Sequence, residues 1–105
     1  MTTSRFLALR IRPSATVSNA ALNTAKVEAG SRCVIIGAGG VGLSILQGCR
    51  IAGAGQIIVI DKEPWKLELA KQMGATHAIN ADDGDAVAAV LEITEGGAHY
   101  AFEAI

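Results

Sequence analysis

The feature that most constrains this chain is a glycine-rich turn between a short apolar run and a longer helical pattern. Cys33-Val-Ile-Ile36 has the continuous hydrophobicity of a strand buried on both faces of a sheet. Gly37-Ala-Gly39-Gly-Val-Gly42 follows directly and fits the spacing G-x-G-x-x-G. The apolar residues beyond this turn take helical spacing, in a stripe of Gly42, Ile45, Leu46, Cys49 and Ala52. A buried strand that passes through a tight turn into a helix is typical of an α/β protein with a parallel sheet.

The remainder of the chain repeats this alternation of strand and helix. Further strands are predicted at Gln56 to Ile60, His77 to Ile79 and Tyr100 to Ile105. A helix is predicted between Pro64 and Gly74, because proline suits a first helical position and glycine a C-terminal cap. Another helix begins after Asp83 or Asp85 and stops at Gly96. Its inner stripe is Val87, Val90 and Thr94. Right-handed crossovers then predict the strand order 3-2-1-4, half of a doubly wound, Rossmann-like three-layer fold.

Length and composition limit the class of protein. A chain of 105 residues has room for one domain, and its 50% hydrophobic content excludes a disordered chain. A net charge of -1 leaves no basic surface for nucleic acid. The uncharged run from Cys33 to Cys49 is diluted by five glycines and closed by Arg32 and Arg50, so no membrane span is predicted. Two cysteines are too few for a disulfide scaffold, which favours a reduced, cytoplasmic protein in which both are core residues.

Residues 1–15 are predicted to form an N-terminal extension, and residues 16–105 the domain itself. A helix is predicted from Val17 to Val27. Within the extension, Leu7, Leu9 and Ile11 alternate with small or charged residues, which is the period of a half-buried strand. This segment is predicted to pair with a sheet edge, either its own or that of a second molecule, with a homodimer favoured. A disordered tail is the alternative.

The glycine-rich turn is the part of the sequence that carries chemistry. Gly37 lets the chain leave the strand sharply, Gly39 removes a side chain that would keep a pyrophosphate from the backbone, and Gly42 lets the helix lie close to the sheet. The N–H groups of the first helical turn, at Gly40 and Val41, then face the phosphates at the positive end of the helix dipole. The alternative is a glycine-rich turn without a ligand. The pattern favours a dinucleotide as the ligand.

Asp61 ends the second predicted strand nineteen residues after Gly42. A carboxylate at this place accepts hydrogen bonds from the hydroxyls of an adenosine ribose. It also repels a 2′-phosphate, by up to about 4 kcal/mol per unit charge at about 4 Å and an effective dielectric near 20. NAD is therefore expected rather than NADP, although the adjacent Lys62 weakens that preference. The alternative is that Asp61 only ends a strand.

From Ala20 to Ile105 the chain resembles the coenzyme domain of zinc-type, medium-chain alcohol dehydrogenases, nearest the glutathione-dependent formaldehyde and alcohol dehydrogenase branch. The matching segments are AALNTAKVEAGS, VIIGAGGVGLSILQGCRIAGA, IIVIDKEPWKLELAKQMGATHAIN and FEAI. The resemblance implies that Lys66, five residues after Asp61, also reaches the ribose; a solvated helix lysine is the alternative. Lys62 stands where the family often has an apolar residue against the adenine. In an intact relative, hydride would pass between NAD and an alcohol or aldehyde.

The zinc sites of that family are not matched in this sequence. Its catalytic zinc is held by two cysteines and a histidine. The cysteine expected about twenty-five residues before Gly37 is replaced by Arg12. No catalytic or metal-binding residue is therefore assigned, and the chain alone is expected to lack dehydrogenase activity. The residues that would shape a substrate pocket are not identified.

Two interpretations of the function stay open. The chain is either an NAD(H)-binding domain related to zinc alcohol dehydrogenases, or a non-catalytic Rossmann-like module for association or regulation that no longer uses the cofactor. A truncated product with no function of its own is a third interpretation. His77 and His99 are interpreted as structural residues, and Trp65 with Leu69 as a surface contact patch.

Overall fold

A computed structural model of the chain describes residues 27–104 as four strands that alternate with three helices. In chain order these elements are β1 (Arg32–Ile36), α1 (Gly40–Ile51), β2 (Gln56–Asp61), α2 (Pro64–Gln72), β3 (His77–Asn80), α3 (Ala86–Ile93) and β4 (Tyr100–Glu103). The predicted extension, most of the helix predicted from Val17, and Ile105 lie outside the described residues. Val27, the predicted end of that helix, is buried but not helical, and Ala104 follows β4 rather than extending it. Within residues 27–104, no helix is long and apolar enough to span a bilayer.

The sheet has the predicted topology. All its strands are parallel, in the order β3-β2-β1-β4. Val34 at the middle of β1 is level with Ile58 on β2 and with Ala101 on β4. The chain passes outward from β1 through β2 to β3, and then crosses back to β4 on the other side of β1. The carboxyl ends of β1 and β4 therefore bound the crevice in which open α/β sheets bind their ligands.

Two buried cores cover the two faces of the sheet. Cys33 and Ile35 of β1 face α1 and α2, and pack with the inner residues of those helices. Val34 and Ile36 face the opposite side and pack with Val90 of α3. Each fully buried aliphatic side chain of this kind stabilises the fold by about 1.5–3 kcal/mol. Because both faces are covered at the centre of the sheet, β1 and β2 contain continuous apolar runs rather than alternating ones.

The ends of α3 show what the sequence pattern left open. Its N-cap is Asp85 and not Asp83, because Oδ1 of Asp85 accepts a hydrogen bond from the Ala88 N–H at 3.1 Å. Thr94, predicted within the inner stripe of this helix, lies one residue beyond its end. The Thr94 side chain is nevertheless fully buried, and its Oγ1 donates to the Val90 carbonyl at 2.7 Å.

Side chains from distant parts of the chain close the amino end of the sheet. The backbone N–H of Arg32 donates to the ring atom Nδ1 of His99 at 2.9 Å. In return, the backbone N–H of His99 donates to the Arg32 carbonyl at 2.8 Å. The Arg32 guanidinium and the Gln56 amide donate to the carbonyls of Thr94 and Ile93 at 2.5 and 3.1 Å, and so cap the end of α3. His99 therefore has a structural role, as predicted, and these bonds assign it the tautomer with an unprotonated Nδ1.

Candidate functional site

The glycine loop, residues 37–42, joins the end of β1 to the start of α1 at the carboxyl edge of the sheet. Gly37 has a φ of +108°, in the left-handed region that glycine adopts readily. The Gly37 N–H donates to the Ile60 carbonyl at 2.8 Å, which fixes the turn to the end of β2. The first glycine of the motif thus makes the sharp exit from the strand.

Gly42 is the point of closest approach between α1 and the glycine loop. A Cβ atom at this position would lie 1.9 Å from the Gly37 carbonyl oxygen and 3.5 Å from the Cβ atom of Ala104. A real Cβ atom does not come so near a backbone oxygen, so glycine alone lets α1 lie here. Packing within the fold therefore requires glycine at position 42, whether or not a ligand is bound.

Gly39 and Gly40 have no such internal requirement. Apart from its neighbours along the chain, a Cβ atom at either position would meet no atom of residues 27–104 within 4 Å. Gly39 has an ordinary extended conformation, with φ of -79° and ψ of -165°. The next residue, Val41, is 60% exposed. Packing within the described residues does not explain why these two positions are glycine. Glycine here is consistent with a ligand that closely approaches the backbone.

The N-terminus of α1 is chemically suited to an anion. Its N-cap residue, Gly39, has no side chain to bond the first turn, and that turn holds no acidic residue. The Leu43 N–H donates to the Gly39 carbonyl at 2.9 Å, which leaves the N–H groups of residues 40–42 without an intrahelical acceptor. These groups and the helix dipole stabilise a negative charge by about 0.3–1 kcal/mol.

Asp61 lies beside the loop at the end of β2, and three backbone N–H groups hold its carboxylate. Oδ2 accepts from Ala38 at 2.7 Å, while Oδ1 accepts from Lys62 at 2.7 Å and from Glu63 at 2.9 Å. Partial burial raises the pKa of Asp61, but these hydrogen bonds and the positive charge of Lys66 outweigh it and hold the pKa below its ordinary value. The carboxylate is therefore a fixed anion at neutral pH.

Two lysines flank this carboxylate. Lys66 lies in the first turn of α2, and its charge acts on Asp61. The Lys66 Nζ stands over the indole ring of Trp65 at 5.6 Å from the ring centroid, within the range of a cation–π contact. Trp65 is 64% exposed and lies outside the core, as predicted. Lys62 donates its N–H to Asp61 and has an exposed side chain.

Two further features lie beside the loop. One is the bond from the Ala38 N–H to Asp61, which joins residues 23 positions apart. The other is Glu103, which pairs with Ile36 at the carboxyl end of β4 and whose Oε1 is buried without a hydrogen-bond partner in the described part of the chain. Both depend on which strand ends are neighbours in the sheet. The predicted strand order was the sequence signal for the first feature, whereas the place of Glu103 in the FEAI segment by itself indicates an indirect support of a ligand loop.

The described residues do not fit the zinc ion of the resembling family. Within residues 27–104, no three histidine, cysteine or acidic side chains lie close enough together to hold a metal. Cys33 and Cys49 are fully buried core residues, as predicted. A hydrogen bond with the Cys49 thiol, together with burial, raises the pKa of Cys33, so that thiol stays protonated at neutral pH. No zinc chemistry is assigned to these residues.

Solved alcohol dehydrogenases share this fold. Benzyl alcohol dehydrogenase from Acinetobacter calcoaceticus matches with a TM-score of 0.77 and 49% sequence identity, over 81% of this chain and 24% of that one. An alcohol dehydrogenase zinc-binding domain protein from Burkholderia ambifaria matches with a TM-score of 0.77 and 48% identity, over 81% of this chain and 23% of that one. At these identities the likeness extends beyond the fold to the sequence.

Curated sequences place the chain in the same family. Alcohol dehydrogenase class-3 of Myxine glutinosa is 51% identical over 88 residues, which is 82% of this chain and 23% of that protein. S-(hydroxymethyl)glutathione dehydrogenase of Synechocystis sp. is 49% identical over 85 residues, which is 79% of this chain and 23% of that protein. The chain thus spans about a quarter of the length of these relatives. The sequence model of the family described as zinc-binding dehydrogenase matches residues 40–105. The chain therefore belongs to the zinc-binding dehydrogenase family and is related to the NAD-binding domain of its alcohol dehydrogenases.

Proposed function

We propose that this chain binds NAD(H), with the pyrophosphate on the glycine loop and the adenosine ribose at Asp61. The observation that carries the proposal is the pair Gly39 and Gly40, where no contact within the described part of the chain requires glycine. The N-terminus of α1 supplies N–H donors for an anion, and Asp61 supplies a fixed acceptor at the neighbouring strand end. A dinucleotide needs both groups in this arrangement.

In this proposal the residues of the loop have different roles. Gly37 and Gly42 shape the turn, the first through its positive φ and the second through its contact with the loop carbonyl. Gly39 leaves room for the pyrophosphate. The N–H groups of Gly40 and Val41 donate to its oxygens, which also face the positive end of the helix dipole.

At the ribose, Asp61 accepts the hydroxyl hydrogen bonds and Lys66 supports them from the first turn of α2. The Asp61 carboxylate is held through both oxygens, so it cannot turn away from a 2′-phosphate. The repulsion, up to about 4 kcal/mol per unit charge before screening, disfavours NADP. Lys62 is exposed beside the carboxylate and offsets part of this preference.

We further propose that the bound coenzyme serves alcohol or aldehyde oxidoreduction, because the relatives carry the names of alcohol dehydrogenases. NAD supplies the hydride acceptor when bound. Residues 27–104 provide no cluster of zinc ligands, so the proposal assigns them coenzyme binding and not activation of the alcohol. The isolated chain should therefore produce no NADH from ethanol or hydroxymethyl-glutathione, with or without added zinc. Zinc-dependent turnover would contradict this assignment.

The binding proposal is tested by titrating the chain with NADH and NADPH. Calorimetry gives the affinity, and quenching of Trp65, the one tryptophan of the chain, reports occupancy near Lys66. We expect saturable NADH binding that is tighter than NADPH binding. Gly39→Ala should weaken NADH about tenfold or more, because its methyl group occupies ligand space. Gln47→Ala, an exposed change farther along α1, should leave the affinity unchanged.

Two results would contradict the binding proposal. If the wild-type chain shows no saturable NADH binding up to millimolar concentrations, the non-catalytic association module becomes the better interpretation. If Gly39→Ala binds NADH as tightly as wild type, the pyrophosphate does not lie on the glycine loop.

We also propose that the segment within residues 1–15 pairs with a sheet edge, with a homodimer favoured. The support from the described residues is that β3 and β4 are the outer strands of the four-stranded sheet, and outer strands can accept a further strand. Light scattering after size exclusion should show a dimer for the complete chain and a monomer with a lower melting temperature after deletion of residues 1–15. A monomer in both cases, with equal melting temperatures, would disprove the pairing.

A further inference from the structure

We infer that Asp61 also holds the glycine loop in its ligand-free shape, and thereby couples the ribose end of the proposed site to its pyrophosphate end. The inference rests on the proposed function for the identity of the ligand, whereas its structural part concerns the chain without ligand. It starts from the hydrogen bond that the Ala38 N–H donates to Oδ2 of Asp61 at 2.7 Å.

Two consecutive N–H groups tie the loop to the end of β2. The Gly37 N–H donates to the Ile60 carbonyl at 2.8 Å, and the Ala38 N–H donates to Asp61. The first bond is between backbones and continues the pairing of β1 with β2. The second depends on a side chain. The Ala38 side chain is 1% exposed, so this part of the loop cannot reorient without loss of packing. Asp61 is thus the side chain that fixes the loop to the sheet.

The arrangement requires an acceptor oxygen on both sides of the side chain. Oδ2 faces the Ala38 N–H, while Oδ1 faces the N–H groups of Lys62 and Glu63 at 2.7 and 2.9 Å. An asparagine amide has the same shape but only one acceptor oxygen, so its NH₂ group must face a donor on one side. The amide oxygen satisfies two donors if it faces Lys62 and Glu63 and only one if it faces Ala38. Asp61→Asn is therefore expected to turn its NH₂ group toward the Ala38 N–H and to lose the loop contact, at an unchanged side-chain volume.

The same contact links the ribose acceptor to the phosphate-binding backbone. Gly39 and Gly40 follow Ala38 directly, so release of Ala38 leaves their N–H groups less preorganised for an anion. Loss of a nearby negative charge has the opposite effect, since it favours binding of an anion. The sign of the change in anion affinity therefore separates the loop-holding role of Asp61 from simple electrostatics.

The test uses the complete chain and inorganic pyrophosphate, a probe that has no ribose. Wild type is compared with Asp61→Asn and with Glu92→Gln, which removes one negative charge from an exposed residue near the end of α3. Hydrogen exchange of the Ala38 amide is measured by NMR without ligand, and pyrophosphate affinity is then followed at the amides of Gly39 and Gly40. We expect Asp61→Asn to raise the Ala38 exchange rate about tenfold or more and to weaken pyrophosphate binding several-fold. Glu92→Gln should change neither quantity in that direction.

An Asp61→Asn chain that keeps the Ala38 protection, or that binds pyrophosphate as tightly as Glu92→Gln, overturns the inference. If the wild-type chain does not bind pyrophosphate, the NADH titration decides the proposed function separately, and the Ala38 exchange rate alone decides whether Asp61 holds the loop. If Asp61→Asn does not fold, the scalar coupling through the hydrogen bond from the Ala38 nitrogen to Cγ of Asp61 is measured in wild type. Absence of that coupling would refute the contact itself.

Discussion

Replacing Gly42 with alanine places a methyl group where α1 meets the glycine loop. The new Cβ atom would lie 1.9 Å from the Gly37 carbonyl oxygen, whereas unstrained contacts begin near about 3.5 Å. The Gly37 carbonyl cannot yield easily, because it shares a peptide plane with the Ala38 N–H, which donates to Oδ2 of Asp61 at 2.7 Å. The helix must therefore shift by roughly 1.5 Å. Overpacking costs about 1–3 kcal/mol or more, and a clash with backbone lies at the upper end of this range. Alanine regains about 1 kcal/mol through its higher helix propensity. We expect a net loss of about 2 kcal/mol.

Thermal unfolding followed by circular dichroism measures this loss. For a chain of this size about 2 kcal/mol corresponds to a fall of roughly 8–16 °C in melting temperature. The matched control is Gly39→Ala, which adds the same methyl group three residues earlier, where the new Cβ atom has no contact within 4 Å among the described residues beyond its chain neighbours. Gly39→Ala should melt within about 4 °C of wild type, and it is expected to weaken NADH binding. If Gly42→Ala also melts within that range, the close packing of α1 on the loop is not what requires glycine.

Three further predictions concern side chains that bond to the backbone. The pKa of Asp61 lies below its ordinary value, so the ionised carboxylate stabilises the fold at pH values above its unfolded-state pKa. In urea titrations, the difference in unfolding free energy between wild type and Asp61→Asn should be constant near neutral pH and shrink below about pH 4. Asp85→Ala removes the N-cap hydrogen bond to Ala88 and should lower the free energy of unfolding in urea by about 0.5–2 kcal/mol, whereas Asp85→Asn should be nearly neutral. Equal losses of stability in both variants would argue against capping. Thr76→Val should lower the free energy of unfolding by about 1–2 kcal/mol, because Thr76 Oγ1 accepts a hydrogen bond from the Ile57 N–H at 2.9 Å. Thr76→Ser keeps the hydroxyl and should retain most of the stability. A loss with serine as large as with valine would assign the effect to packing.

The fold could be predicted because its determinants are local. A strand buried on both faces is a continuous apolar run, and Gln56 to Ile60 is such a run at the positions where β2 forms. Pro64 marks the first residue of α2, since proline lacks only an N–H that the helix start does not use. Once strands alternate with single helices, right-handed crossovers leave few strand orders, and 3-2-1-4 is the one that forms. The loop and Asp61 were located for the same reason, since the loop directly follows β1 and Asp61 is the last residue of β2.

The tertiary structure decided what these residues contact. The motif assigns Gly42 to close packing of the helix, but only the structure shows that a Cβ atom at this position would lie 1.9 Å from the Gly37 carbonyl oxygen. The spacing places Asp61 after a strand but does not show that its carboxylate accepts from Ala38, 23 residues earlier. Such contacts form only when β1 and β2 lie side by side in one register and α1 packs at one distance from the loop. The local periodicity of the sequence predicts each helix or strand and its buried face. Contacts between strand ends depend instead on how the complete sheet and its helices pack together.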